Sequence, residues 1–120
     1  MNLQERLDRL ERFGEEIQRE AAERTSGSTN RILALREDFN EECIATARAI
    51  CLDPHIRINH EVFAAMQGAL ETLRSRMVSH QMRWNADRIE QNPGAYFAAS
   101  QSVQDLLRDF VTNSRVFLRD

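Results

Sequence analysis

The sequence predicts an all-α fold, an antiparallel helical bundle of three to four helices. Apolar residues recur at alternating spacings of three and four, which places them on one face of a helix. Only two prolines and four glycines interrupt 120 residues, so long helices are possible and a many-stranded β fold is disfavoured. A chain of this length suits one domain with a real core. We therefore predict a single helical domain over residues 1–120.

The first helical segment, about residues 1–24, carries a narrow apolar seam with coiled-coil spacing. The seam consists of Leu3, Leu7, Leu10, Gly14, Ile17 and Ala21, with Phe13 on its flank. It extends over about two heptads, fewer than the three to four of a sustained coiled coil. Such a helix either completes the bundle or acts as an oligomerisation arm that pairs with another copy or with a partner's groove. We expect association to use Leu3, Leu7, Leu10, Phe13 and Ile17.

We predict that residues 25–30 form a linker between this amphipathic helix and a helical core over residues 31–120. Their sequence is Thr-Ser-Gly-Ser-Thr-Asn, and small polar residues that bond to their own backbone favour turns and caps. We expect Ser28, Thr29 or Asn30 to cap the next helix. The alternative is one bent helix that runs through the linker.

The second segment, about residues 30–52, has a wide apolar face that is typical of a buried bundle helix. Its stripe is Ile32, Leu35, Phe39, Cys43, Ala47 and Ile50. Asp53 and Pro54 end the helix, because a residue before proline avoids the α region. On one helix Cys43 and Cys51 lie about 12 Å apart, too far for a disulfide, so both are expected to be reduced core thiols.

Residues 55–58 form either an extended connector or one helical turn begun by Pro54. The third segment then covers about residues 60–91, with Asn59 as its N-cap. Its stripe is Phe63, Met66, Leu70, Leu73, Met77, His80 and Trp84. His80 is the one titratable side chain in this apolar seam, so it is a candidate pH-sensitive position. The alternative is a histidine that simply bonds to a neighbouring helix.

The fourth segment, about residues 94–118, is the most apolar and is expected at the centre of the core. Asn92 and Pro93 separate it from the third. Its stripe is Tyr96, Ala99, Val103, Leu106, Phe110 and Phe117.

Charge and motif content argue against catalysis, membrane insertion and bound cofactors. The net charge is −3, and all 16 basic residues are arginine, which excludes lysine-based chemistry and fits the codon use of a GC-rich bacterial or phage genome. The potential metal ligands Asp53, His55, His60 and Glu61 lack a Glu-x-x-His or zinc-protease pattern, so no metal is expected. A charged N-terminus and the absence of a long apolar run indicate a cytoplasmic protein.

Nucleic acid is the alternative partner. The third segment carries an arginine-rich face with one aromatic residue that could stack on a base; this face is Arg74, Arg76, Arg83, Trp84 and Arg88. Interspersed acidic residues and the negative net charge weigh against that reading.

The sequence thus favours a non-enzymatic protein-interaction protein, an adaptor, chaperone or regulator that binds another protein and forms homo-oligomers. A small helical metal-dependent or ligand-binding protein is the remaining alternative.

Overall fold

The structure, a computed structural model, describes residues 1–119 and confirms the all-α class. The described residues form six helices and no strand, and four of the helices are long. The helices are α1 (Leu3–Glu23), α2 (Ser28–Leu52), α3 (Pro54–Arg57), α4 (His60–Arg83), α5 (Ala86–Gln91) and α6 (Pro93–Arg119).

The long helices contact one another in reversed chain direction. Arg6, near the start of α1, pairs with Glu42 in the second half of α2, whereas Glu20 near the end of α1 pairs with Arg31 at the start of α2. Side-chain contacts between α2 and α4, and between α6 and α1, show the same reversal. The resulting shape is elongated, with extents of 48 × 22 × 19 Å.

The apolar seam of α1 belongs to the core of its own chain. Leu7 and Leu10 are 0% exposed, and Leu3, Ile17 and Ala21 are also buried. These side chains join the apolar faces of the other long helices in one hydrophobic cluster. A narrow seam is sufficient here, because ion pairs of α1 with α2 and α6 flank the buried stripe and the opposite face of the helix is polar.

The break between α1 and α2 covers residues 24–27, and α2 begins at Ser28. Arg24 and Gly27 both adopt left-handed backbone conformations, with φ of 51° and 81°. The expectation that Ser28, Thr29 or Asn30 caps α2 is therefore wrong. Gly27 holds the cap position without a side-chain bond, because glycine tolerates positive φ, and the Ser28 hydroxyl donates to Glu20 instead.

The single helix expected over residues 60–91 is broken at Trp84 and Asn85. Asn85 caps α5, and its side-chain oxygen accepts from the backbone N–H of Arg88 at 3.0 Å. On the other side of the break, Nη1 of Arg36 donates to the Trp84 carbonyl oxygen at 2.7 Å. A carbonyl at a helix end needs such a partner, and here a side chain from α2 provides it.

The segment between α2 and α4 is a single helical turn rather than an extended connector. Asp53 caps α3 and accepts from the backbone N–H groups of His55 and Ile56, with Pro54 at the first position. Asn59 caps α4 by accepting from Val62 N–H at 3.2 Å, as predicted.

The two cysteines lie in different environments. Both are free, but only Cys43 is buried. Cys51 is exposed and accepts a hydrogen bond from Gln67, so the expectation of two core thiols is wrong for Cys51. Position 51 lies beside the buried face of α2, which includes Cys43 and Ile50 at this end of the helix.

Among the helices that the structure describes, none has the length and apolar character needed to cross a membrane.

Candidate functional site

A cluster of polar and aromatic side chains lies inside the protein around Arg36 of α2. Arg36 is only 6% exposed. Besides its hydrogen bond to Trp84, its guanidinium carbon lies 5.5 Å from the centroid of the Tyr96 ring. This distance is within the range of a cation–π contact. The cluster therefore joins α2, the end of α4 and the first turn of α6.

His80 and Trp84 contribute the aromatic part of this cluster. The rings of His80 and Tyr96 stack with centroids 5.5 Å apart and an interplanar angle of 22°. Trp84 meets the same tyrosine edge-on, at 5.7 Å and 63°. The stripe predicted for the third segment places His80 and Trp84 on one face, and α6 brings Tyr96 between them.

Two polar atoms of the cluster are buried without a hydrogen-bond partner among the described protein groups. They are Nη2 of Arg36 and the hydroxyl oxygen of Tyr96. Both residues line one small cavity, together with Ser100 and Gln104 of α6. The volume open to the centre of a water-sized particle is about 10 Å³, enough for one such particle.

The environment of His80 disfavours its charged form. Burial, followed by the positive charges of Arg36 and Arg83, lowers the pKa of His80 from 6.5 to about 4. The imidazole is therefore neutral at neutral pH and stacks on Tyr96 in that form. A pH-sensitive role for His80 stays a prediction, and its physical basis is this shift.

Sequence reasoning did not identify Arg36 as a site residue. A signal was nevertheless present, because Arg36 follows Ile32 by four residues and precedes Phe39 by three, which is the spacing of the apolar stripe. A charged residue at a stripe position is buried only when it has a partner. The partner is the backbone carbonyl of Trp84, just after α4, and the sequence gives no sign of this contact.

The proposed nucleic-acid face does not present an aromatic ring to solvent. Trp84 is 7% exposed, and the guanidinium of Arg88 lies over its ring, 5.2 Å from the centroid. Arg76 and Arg83 are exposed, whereas Arg74 lies 3.9 Å from Glu71. Arg76, Arg83 and Arg88 are exposed and Arg74 is partly exposed, whereas the ring of Trp84 is not open to a base in this conformation. Nucleic-acid binding by this face stays a prediction.

The residues predicted for association lie mostly inside the chain. Leu3, Leu7, Leu10 and Ile17 are buried, and Phe13 is half-buried beneath Arg9, whose guanidinium is 5.5 Å from the ring centroid. They form no exposed seam. Association through these side chains stays a prediction, and it requires α1 to leave its own chain.

A second buried charge belongs to the fold rather than to a site. Glu42 is 4% exposed and contacts Arg6 at 3.0 Å and Arg9 at 3.6 Å. Two arginines from α1 thus compensate one buried carboxylate of α2, as buried charges require.

The described residues include one buried thiol and three exposed potential metal ligands near α4. Burial raises the pKa of the Cys43 thiol to about 12, which keeps it protonated and unreactive. His55, His60 and Glu61 are exposed near the start of α4. No group of three potential ligands within residues 1–119 is placed to hold a metal ion.

Near the start of α4, a depression lined by both apolar and polar side chains runs between α4 and α6. Two concavities meet at Phe117, one beside the loop after α3 and one farther along α4. We call this depression the α4–α6 groove and define it by six residues, Ile58, Val62, Ala65, Ala69, Val116 and Phe117.

Comparison of the chain with protein families, with curated proteins and with solved structures found no match. The function must therefore be argued from the residues alone.

Proposed function

We propose that this chain is a non-enzymatic protein-interaction protein that binds an amphipathic helix of a partner in the α4–α6 groove. The proposal depends on one observation: large aliphatic side chains are exposed to solvent along a concave surface. Ile58 is 81% exposed and Val116 is 49% exposed, on either side of the half-buried Phe117. Contiguous exposed apolar surface of this kind is typical of interaction sites.

The dimensions of the groove suit a short helix. The part of α4 that lines it, from Val62 to Ala69, is about 11 Å long, and Ile58 extends it beyond the N-terminus of that helix. This length accepts about two to three turns of a helix, whose apolar residues at i, i+4 and i+7 would contact the groove. The small side chains of Ala65 and Ala69 allow close approach.

The charges beside the groove favour an acidic partner. Arg57 precedes Ile58, Arg119 follows the apolar end of α6, and both are exposed. Among the described residues that line the groove, Glu61 is an opposing charge. A helix with aspartate or glutamate beside its apolar stripe would complement the two arginines. The partner class is therefore an amphipathic helix with an acidic flank.

The packing of the long helices around one hydrophobic cluster supports this role. We further propose that the four long helices form an antiparallel bundle, which the reversed contacts between them support. The proposal includes a cytoplasmic adaptor, chaperone or regulator without chemistry of its own.

It also includes self-association, in which two copies exchange α1 about the turn at residues 24–27 and rebuild the same core contacts.

A displayed library of helical peptides tests the groove. We expect selection on the full-length protein to enrich peptides with apolar residues at i, i+4 and i+7 and an acidic flank. Ile58→Asp should weaken their binding at least tenfold, because it places a charge where about 1.4 kcal/mol or more of apolar contact is made.

Met82→Asp is the matched control, since Met82 is 79% exposed and lies outside the groove. Equal loss of peptide binding in both variants would contradict the proposal. So would a selection that enriches no peptide whose binding depends on Ile58. Size-exclusion chromatography with light scattering on the same samples measures self-association separately.

A further inference from the structure

The charge of Arg36 is buried without a compensating acid. None of the ion pairs formed by described residues includes Arg36. Its Nη1 is satisfied by a neutral carbonyl, and its Nη2 has no protein partner. Glu42 provides the contrast within the same helix, because its buried charge is met by two arginines. A buried cation in this position requires an acceptor, and a negatively charged acceptor compensates it best.

The second unpartnered group points to the same place. The Tyr96 hydroxyl is buried, lacks a protein partner and belongs to a residue that lines the same cavity as Arg36. Ser100 and Gln104 add a hydroxyl and an amide to a lining that is otherwise largely apolar, and no acidic residue lines this cavity. Each of these side chains can donate a hydrogen bond. The lining is therefore suited to an acceptor that carries negative charge.

The size of the cavity selects among anions. A volume of about 10 Å³ for the centre of a water-sized particle admits one small particle. Among common anions a monatomic halide comes nearest to this size, whereas sulfate, phosphate and carboxylate-bearing metabolites are larger. A water molecule would accept the same hydrogen bonds but would leave the positive charge uncompensated.

We propose that this cavity is a halide site that binds one chloride ion between Nη2 of Arg36 and the hydroxyl of Tyr96. The His80 ring, stacked on Tyr96, closes one side. Bound chloride would tie α2 to the start of α6 at the point where α4 ends. The proposal does not depend on the α4–α6 groove.

Crystals of the full-length protein grown in sodium bromide provide the direct test. We expect an anomalous bromide peak within hydrogen-bonding distance of Arg36 Nη2 and the Tyr96 hydroxyl. Absence of a peak in this cavity, with bromide found only at the protein surface, would overturn the proposal.

Thermal unfolding in solution provides the second test, in chloride against gluconate at constant ionic strength. A bound ion raises the unfolding midpoint with its concentration, so the wild type should be stabilised by chloride. Tyr96→Phe keeps the ring and removes one hydrogen bond, and we expect chloride to bind about tenfold more weakly. Arg36→Met should abolish the dependence, and if it fails to fold, Tyr96→Phe decides the question alone.

Arg108→Gln is the matched control, because Arg108 has a side chain that is 61% exposed and lies outside this cavity. It should retain the chloride dependence of the wild type. If Tyr96→Phe also retains the full dependence, the chloride effect arises elsewhere and the assignment is wrong. Ile58→Asp in the same assay should respond to chloride like the wild type, which separates this site from the proposed peptide groove.

Discussion

The guanidinium of Arg36 donates to the backbone carbonyl of Trp84 across 2.7 Å inside the protein. This hydrogen bond links α2 to the residue at which α4 ends. The Trp84 carbonyl lies outside the regular hydrogen bonding of the helix, so it depends on a side chain from elsewhere. The break between α4 and α5 is thus fixed by a residue 48 positions earlier in the chain.

Replacement of Arg36 by alanine should destabilise the fold by about 2–4 kcal/mol. The variant leaves the Trp84 carbonyl without its partner and opens space beside the Tyr96 ring. Urea unfolding followed by circular dichroism measures the loss. Arg108→Ala, at an exposed position of α6, should change the free energy of unfolding by no more than about 0.5 kcal/mol. Equal effects of the two substitutions would show that the hydrogen bond contributes nothing.

The double variant Leu7→Asp with Leu10→Asp should unfold the protein. If α1 were an association arm outside the fold, the variant would stay folded and change its oligomeric state, but both side chains are 0% exposed. The free-energy cost of burying two unpaired carboxylates is as large as the free energy of unfolding of a typical domain, about 5–15 kcal/mol. Circular dichroism reports the fold, and light scattering reports the mass.

Arg12→Gln with Arg19→Gln, at two exposed positions of the same helix, is the control and should remain folded. A folded Leu7→Asp, Leu10→Asp protein with a changed mass would instead identify α1 as an association arm.

Two glycine-to-alanine substitutions should have opposite effects on stability. At Gly14, a Cβ would collide with the side chains of Gln104 and Leu107 of α6, so Gly14→Ala should cost about 1–3 kcal/mol. At Gly68, an added Cβ would have no atom within 4 Å beyond the local backbone of its own helix, and Gly68→Ala should stabilise α4 by about 0.5–1 kcal/mol. Thermal unfolding of the pair measures both. Stabilisation by Gly14→Ala would mean that α1 and α6 do not approach as closely as described.

The free energy of unfolding should fall as the pH decreases through the range between 6.5 and about 4, because of His80. The unfolded chain protonates His80 near 6.5, whereas the folded chain resists protonation until about 4. The unfolded state then holds more protons, so acid favours it. Above pH 6.5 the residue is neutral in both states and contributes no pH dependence.

The cleanest comparison lies between pH 5 and 6.5, before most carboxylates titrate. His80→Phe keeps an aromatic ring and should reduce the slope of stability against pH, while His55→Gln, at an exposed position, should leave it unchanged. A proton NMR titration that placed the His80 pKa near 6.5 would contradict the mechanism.

The local pattern of the sequence was sufficient to predict the helices. Apolar spacing identified the four long segments, Asn59 correctly marked the start of α4 and Pro93 that of α6, and the turn after Asp53 was one of two alternatives. Caps and proline act within a few residues of their own position. The all-α class follows from the same local information.

The tertiary structure decided where those helices stop and what they bury. Spacing alone allowed α1 to lie inside or outside the fold, and only its packing against α2 and α6 put Leu7 and Leu10 in the core. Likewise, Phe63 to Trp84 form one continuous stripe, yet the helix ends at Arg83. Its end depends on a hydrogen bond from Arg36, and a contact between residues distant in sequence leaves no periodic signal. The association of Arg36, His80 and Tyr96 was beyond sequence reasoning for the same reason, since three separate helices bring them together.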